Sequence, residues 1–172
     1  MQILTQNFDI RTDEKFSNIA EFLLTKVELD VNDKRYALTE IEFYWKSDRH
    51  QDASVYDRKH TGKLKPGQIF VHYAGVDISL DNEYGIGGIL IRGIYSLAEN
   101  KSYNGPMVCA MKLLSGILDV HGTFATLKLV ERETPLVVEI NNTSRIGIGK
   151  NGITSGYHEK LYRFLIRYPK NK

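Results

Sequence analysis

A single cysteine, Cys109, stands in a chain of 172 residues. It cannot close an internal disulfide, so a reducing cytoplasm is the expected compartment. With no second thiol and no Cys-x-x-Cys, a structural zinc site of the thiolate type is excluded. Long hydrophobic runs are missing too: none approaches the roughly 18 apolar residues of a membrane helix. Met1-Gln2-Ile3-Leu4 has neither the basic start nor the long apolar stretch of a signal peptide. Charge of one sign is not in excess, since 23 Lys and Arg against 21 Asp and Glu leave a net +2. Nucleic-acid binding would therefore have to come from a local patch. What is present is globular: 42% hydrophobic and 26% charged residues suit a packed core and argue against disorder. The expectation is one domain, residues 1–172, too short for two ordinary ones.

The stretch from Thr39 to Trp45 reads as a strand around which the chain is organised. Alternation puts Ile41, Phe43 and Trp45 on one face and Glu40, Glu42 and Tyr44 on the other. Carboxylates beside an aromatic on the back of a core strand either face water on a half-exposed sheet or belong to a site that uses them. Upstream, Phe16, Ile19, Ala20, Leu23 and Val27 recur at helical spacing behind Thr12 and Asp13, predicting a helix over 13–26. Val27–Val31 alternates like a strand, and Asn32-Asp33 turns it into a hairpin with Lys34–Trp45. Residues 46–67 are polar and aperiodic, a long loop of the kind that often carries function.

Downstream, Ile69–Tyr73 is the next expected strand, with Phe70 and His72 on one face. A glycine-rich link, Tyr84–Gly88, leads into Ile89–Ile94, apolar on both faces and so central. Arg92 lies within it, on the face of Leu90 and Ile94, and needs a partner: a carboxylate such as Glu40 or Asp77, a carbonyl or a phosphate. Gly105-Pro106 opens a second helix with Met107, Ala110, Met111, Leu114, Ile117 and Leu118 as its buried stripe. Thr123–Val130, Leu136–Ile140 and Leu161–Tyr168 read as strands, and Asn151-Gly152 as a turn. The fold class expected is α+β, a single domain with a curved, mostly antiparallel sheet and two packed helices.

Motifs with strong spacing are absent. Tyr84–Gly88 lacks G-x-G-x-x-G and does not open a helix. Gly147-x-Gly149-Lys150 lacks the Walker spacing, and is either a plain turn or a place where amides and bases meet a nucleic-acid backbone. Glu42, His50, Asp52, His72 and Asp77 offer nitrogen and oxygen donors, but no paired His-Glu-x-x-His spacing supports a metal, and none is expected. No nucleophile elbow occurs, and Cys109 has no histidine near it in sequence. What remains is Glu42 among aromatics and histidines, a setting for general-base activation of water at a sugar carbon.

Taken in order, several segments resemble the alkyladenine (3-methyladenine) DNA glycosylase family, the small α+β type without a helix-hairpin-helix. Ala20–Val27 and Thr39-Glu40-Ile41-Glu42-Phe43-Tyr44 resemble its opening helix and E-T-E-A-Y strand. Lys65-Pro66-Gly67 with Ile69-Phe70-Val71-His72 resembles its K-P-G and stacking strand. Ile89-Leu90-Ile91-Arg92 resembles V-L-L-R-A, Gly105-Pro106 resembles S-G-P, and Ser144–Gly149 with Leu161-Tyr162-Arg163-Phe164 resembles A-R-V-G-V-G followed by L-R-F-Y. The matches are collinear over residues 16–168.

The resemblance implies a repair enzyme that flips an alkylated purine into an aromatic pocket and hydrolyses its N-glycosidic bond, without a cofactor. It implies Glu42 as the base that activates water, with Arg92 near that water. Tyr44, Phe70 and His72 would be pocket aromatics favouring a cationic base, with His50, Asp52 and Asp77 as further polar pocket residues. DNA is the implied partner, RNA or a free nucleoside the alternatives, and a monomer the expected state. Arg58, Lys59, Lys63, Arg145 and Lys150 are the candidate phosphate contacts. The sequence departs from the family at Val55, where its D-x-A-S-H element has histidine, at the shortened Tyr73–Asp77, which lacks its wedging tyrosine, and at Arg58–Gly62, which replaces R-T-P-R-N. A binding module that keeps the fold without catalysis is the competing class.

Overall fold

A computed structural model describes residues 12–56, 62–118 and 126–169. One 3-10 turn, Asp13–Lys15, carries Asp13 and Glu14 at the positive end of α1, Phe16–Lys26, where acidic side chains are favoured. Strand β1, Val27–Val31, follows without a loop. Asn32 and Asp33 then take φ of 48° and 65°, the left-handed pair of a primed hairpin turn whose twist matches its strands. They lead into β2, Lys34–Ser47, the expected hairpin.

Strand β2 is the spine. Along one side it pairs with β6, Gly85–Ser96; along the other it pairs first with β1 and then with β10, Arg163–Ile166. Short β3, His50–Gln51, folds back on its end. Beyond β6 lie β5, Gly75–Ser79, and the edge strand β4, Ile69–His72. Lys101–Asn104 forms β7 against β6, Leu127–Glu131 forms β8 against β1, and Ile140–Thr143 forms β9 against β10. The result is a curled sheet in which every described pairing is antiparallel, in the order β4-β5-β6-β2-β1-β8.

One face of that sheet holds the core. Ile41, Phe43 and Trp45 are each 0% exposed, and burying each is worth about 1.5–3 kcal/mol. Phe16 of α1 stacks on Phe43 at 4.5 Å between ring centroids and meets Tyr162 edge-on at 4.9 Å. Helix α2, Pro106–Leu118, brings Cys109, Ala110 and Leu113 into the same cluster as Val76, Ile78, Ile89 and Ile91. It packs close, for a Cβ on Gly116 would lie 3.0 Å from Val31. The buried stripe is therefore rotated from the expected one: Met107 and Met111 are 48% and 69% exposed and are not core. Leu114 and Ile117 are partly buried, and the side chain of Leu118 lies outside the described residues.

Two compensating irregularities interrupt β2 and β6. Leu38 pairs with Ile94, Glu40 with Gly93 and Ile41 with Ile91, so Thr39 is the extra residue on β2 and Arg92 the extra residue on β6. Such bulges re-aim side chains. Leu38 and Ile94 enter the core with Ile41 and Ile91, while Glu40, Glu42 and Arg92 share the opposite face. The expectation that Ile94 lies on Arg92's face fails for this reason. Gly93 permits the close pairing, since a Cβ there would sit 2.6 Å from the Thr39 hydroxyl.

Local patterning missed other pieces. Strands β5 and β7 form where no strand was expected, and Gly85–Gly88 belong to β6 instead of a link. Residues 136–139 make no ladder, and pairing begins at Ile140. Asn151 and Gly152 lie in a short helix, α3, Lys150–Thr154. Thr123–Ala125, expected as strand, fall outside the described residues. Among the described residues no helix is long and apolar enough to cross a membrane.

Candidate active site

On the face opposite the core, Glu40 and Glu42 are two residues apart on β2 and meet different partners. Arg92 Nε donates to Glu40 Oε1 at 2.9 Å, and Arg163 Nε donates to the same oxygen at 2.8 Å. Burial alone would raise the Glu40 carboxyl, but hydrogen bonds from Arg163 and Arg92 and their charges outweigh it and hold the group below the usual carboxylate range. Arg163 is a site residue that sequence reasoning passed over. Its charge inside an otherwise apolar strand was the available signal; its register opposite Glu42 emerges only in the sheet.

Glu42 is 0% exposed. Its Oε1 accepts the Ile146 amide at 2.8 Å; its Oε2 accepts the Tyr44 hydroxyl at 2.8 Å and Arg92 Nη1 at 3.3 Å. Burial pushes the Glu42 carboxyl above the usual range even though the Ile146 amide, Arg92, Tyr44 and Arg145 all favour the charged form. Tyr44 is raised in turn, by burial first and then by the Glu42 charge. Three donors leave one of the carboxylate's roughly four lone-pair sites open, on Oε1, so a proton can be taken there or where a donor lets go. The 3.3 Å contact to Arg92 is the loosest.

In front of Tyr44 lies a cavity of about 380 Å³, within the range of small-molecule sites. Its walls carry Tyr44, Tyr56, His72 and Tyr73, with Asp77, Leu90 and the glycines Gly87, Gly88, Gly147 and Gly149. The Tyr56 ring stacks on His72 at 5.0 Å, and Phe70 stacks on His72 at 5.4 Å and lies 5.9 Å from Tyr56. Tyr73, 79% exposed, stands at the mouth 5.6 Å from Tyr56. Gly147 takes φ of +73°, a left-handed turn that suits glycine and lets the chain send the Ile146 amide to Glu42 before lining the slot. Tyr56 and Tyr73 were not foreseen as site residues, Tyr56 because it sits in a loop with no pattern to read.

The sequence-derived candidates divide accordingly. Tyr44, His72 and Asp77 line the cavity, Phe70 stacks on His72, and Glu42 lies one hydrogen bond behind the cavity, tied to Arg92. His50 does not line the cavity: it is buried on the core side, its Nδ1 2.7 Å from the Trp45 carbonyl and its Nε2 2.9 Å from the Tyr162 hydroxyl. Asp52, 0% exposed, pairs with Arg145 at 2.6 Å and accepts the Ser54 amide at 3.0 Å. Neither reads a ligand. Arg145 is no phosphate contact either, because its side chain is fully buried and also bonds the carbonyls of Phe43 and Tyr157 at 3.1 and 3.0 Å. Lys63 and Lys150 are exposed, while Arg58 and Lys59 lie outside the described residues.

Two other chemistries find no footing among the described residues. Burial pushes the Cys109 thiol up to about 12, so it is not a nucleophile at neutral pH. Among the described residues no three His, Cys, Asp or Glu side chains gather as metal ligands. Compared with known proteins, the chain matches no family model and no curated protein. Its function has to be argued from the site.

Proposed function

We propose that the slot receives a purine extruded from nucleic acid and that the protein hydrolyses its N-glycosidic bond with Glu42 as general base. The observation that carries this reading is the juxtaposition of an aromatic-lined slot with a buried, basic carboxylate one hydrogen bond behind its wall. Base-modifying enzymes take the base out of the stack and hold it between π faces. A water lodged at the loose Arg92 to Glu42 contact would be oriented by the guanidinium and lose its proton to the carboxylate. Arg92 is kept in place for that task by its second bond, to Glu40. Until that proton is transferred, the negative charge of Glu42 stabilises the oxocarbenium character that develops at the sugar.

Exposed Lys63 and Lys150 are the proposed phosphate contacts, and Tyr73 at the slot's mouth is placed to fill space beside an extruded base. The proposal takes the protein as a cytoplasmic monomer acting on DNA. The hold of three donors on Glu42 favours a second reading, a nucleobase-binding module without chemistry. The test is to incubate the protein with methylated duplex DNA and with methylated nucleosides, and to assay free purine by chromatography. Release from DNA supports the glycosylase, release from nucleosides alone redirects the activity to small substrates, and tight binding without release selects the binding module.

A further inference from the structure

Two polar atoms at the slot have no in-line partner. His72 Nε2 and Asp77 Oδ1 lie 3.1 Å apart on side chains 6% and 8% exposed, and neither finds a hydrogen bond among the described residues. The two meet only each other, off the line that a good hydrogen bond needs, so a ligand atom in front of them at the cavity wall can take over either one. The Ala74 amide donates to His72 Nδ1 at 3.4 Å, which assigns the imidazole proton to Nε2. The dyad therefore presents one N–H donor next to a carboxylate acceptor. Gly88 keeps that carboxylate in the slot, since a Cβ there would lie 2.9 Å from Asp77 Oδ2.

We infer that His72 and Asp77 read the edge of the bound heterocycle and select one with a carbonyl beside two adjacent N–H groups, the guanine-type edge. The carbonyl accepts from His72 Nε2–H, and the ring N–H and exocyclic amine donate to the two carboxylate oxygens of Asp77. A hypoxanthine-type edge lacks the second donor. An adenine-type edge sets a ring-nitrogen lone pair where the ring N–H should be. Sites built to bond a polar group reject analogues that leave it unpaired. This inference rests on the slot being a nucleobase site, but not on hydrolysis.

The test is calorimetric titration of the full chain with 9-methylguanine, 9-methylhypoxanthine and 9-methyladenine, the methyl standing where the sugar attaches. The guanine analogue should bind tighter than the hypoxanthine analogue by about tenfold or more, with the adenine analogue weakest. Asp77→Asn, close in shape, should erase that preference. Gly88→Ala should do the same without touching the charge, and melting curves on both variants check the fold. Equal affinity for the three analogues, no binding of any to the wild-type chain, or an Asp77→Asn chain that keeps the preference would each overturn the inference. Selective binding without base release would remove the hydrolytic reading and leave the dyad standing; base release without selectivity would do the reverse.

Discussion

Arg145 tests how the site is held together. Its guanidinium is fully buried, 2.6 Å from Asp52, bonded to two backbone carbonyls and 4.5 Å from the Tyr44 ring centre. Arg145→Met keeps much of the volume but leaves the Asp52 carboxylate buried with, among the described residues, only Ser54 to meet it. Removing one partner of a buried pair typically destabilises by about 3–5 kcal/mol. At about 2–4 °C per kcal/mol for a chain of this length, melting should fall by about 6–20 °C. Adding Asp52→Asn should recover part of the loss, because the orphaned charge is then gone. The assay is thermal and urea unfolding of the three variants beside a DNA salt titration. A single variant that melts within about 2 °C of wild type and flattens the salt dependence by about one unit would restore Arg145 to the phosphate contacts and refute the buried role.

Other outcomes follow from burial and charge. Met111→Gln should leave stability within about 0.5 kcal/mol, as at an ordinary surface position; a loss of 2 kcal/mol or more in urea unfolding, typical of core truncations, would return Met111 to the core. Glu40 has a lowered carboxyl, so its stabilisation is full above the unfolded value and is lost as pH falls through the folded one. The melting gap between wild type and Glu40→Gln should then narrow as pH falls below about 5 and go on narrowing through the folded value, and a gap that widens on acidification would contradict the paired arrangement.

Much of this was legible because β2 announces itself. The alternation of Ile41, Phe43 and Trp45 with Glu40, Glu42 and Tyr44 gives both its core face and its site face, and the Asn32-Asp33 turn gives its hairpin partner. The need for a partner at Arg92 was visible from charge alone. That it reaches both glutamates was not, since this depends on paired bulges at Thr39 and Arg92 that arise only when two strands meet. His50, Asp52 and Arg145 misled for a related reason: a polar residue in a loop or a glycine-rich segment looks free to meet a ligand until the tertiary fold closes over it. On α2 the helix was readable but its rotation was not, because Cys109, Ala110, Leu113 and Gly116 form as good a stripe as the one with the methionines, and small residues win where the helix lies close to the sheet. Tyr56 carries no local signal, and Tyr73, read as the last residue of a strand on the face away from His72, joins the slot only where β4 ends.

The central claim turns on Glu42. Base release from methylated DNA should be measured for wild type and Glu42→Gln, below the melting temperature of both, with binding of a free base followed on the same preparations. The amide cannot accept from Ile146, Tyr44 and Arg92 together, so a lower but still cooperative melting is expected. The account predicts retained base binding and release slowed by about 10² to 10⁴, the usual contribution of a general base. A Glu42→Gln chain that releases base at the wild-type rate would contradict it and reduce Glu42 to a structural partner of Arg92.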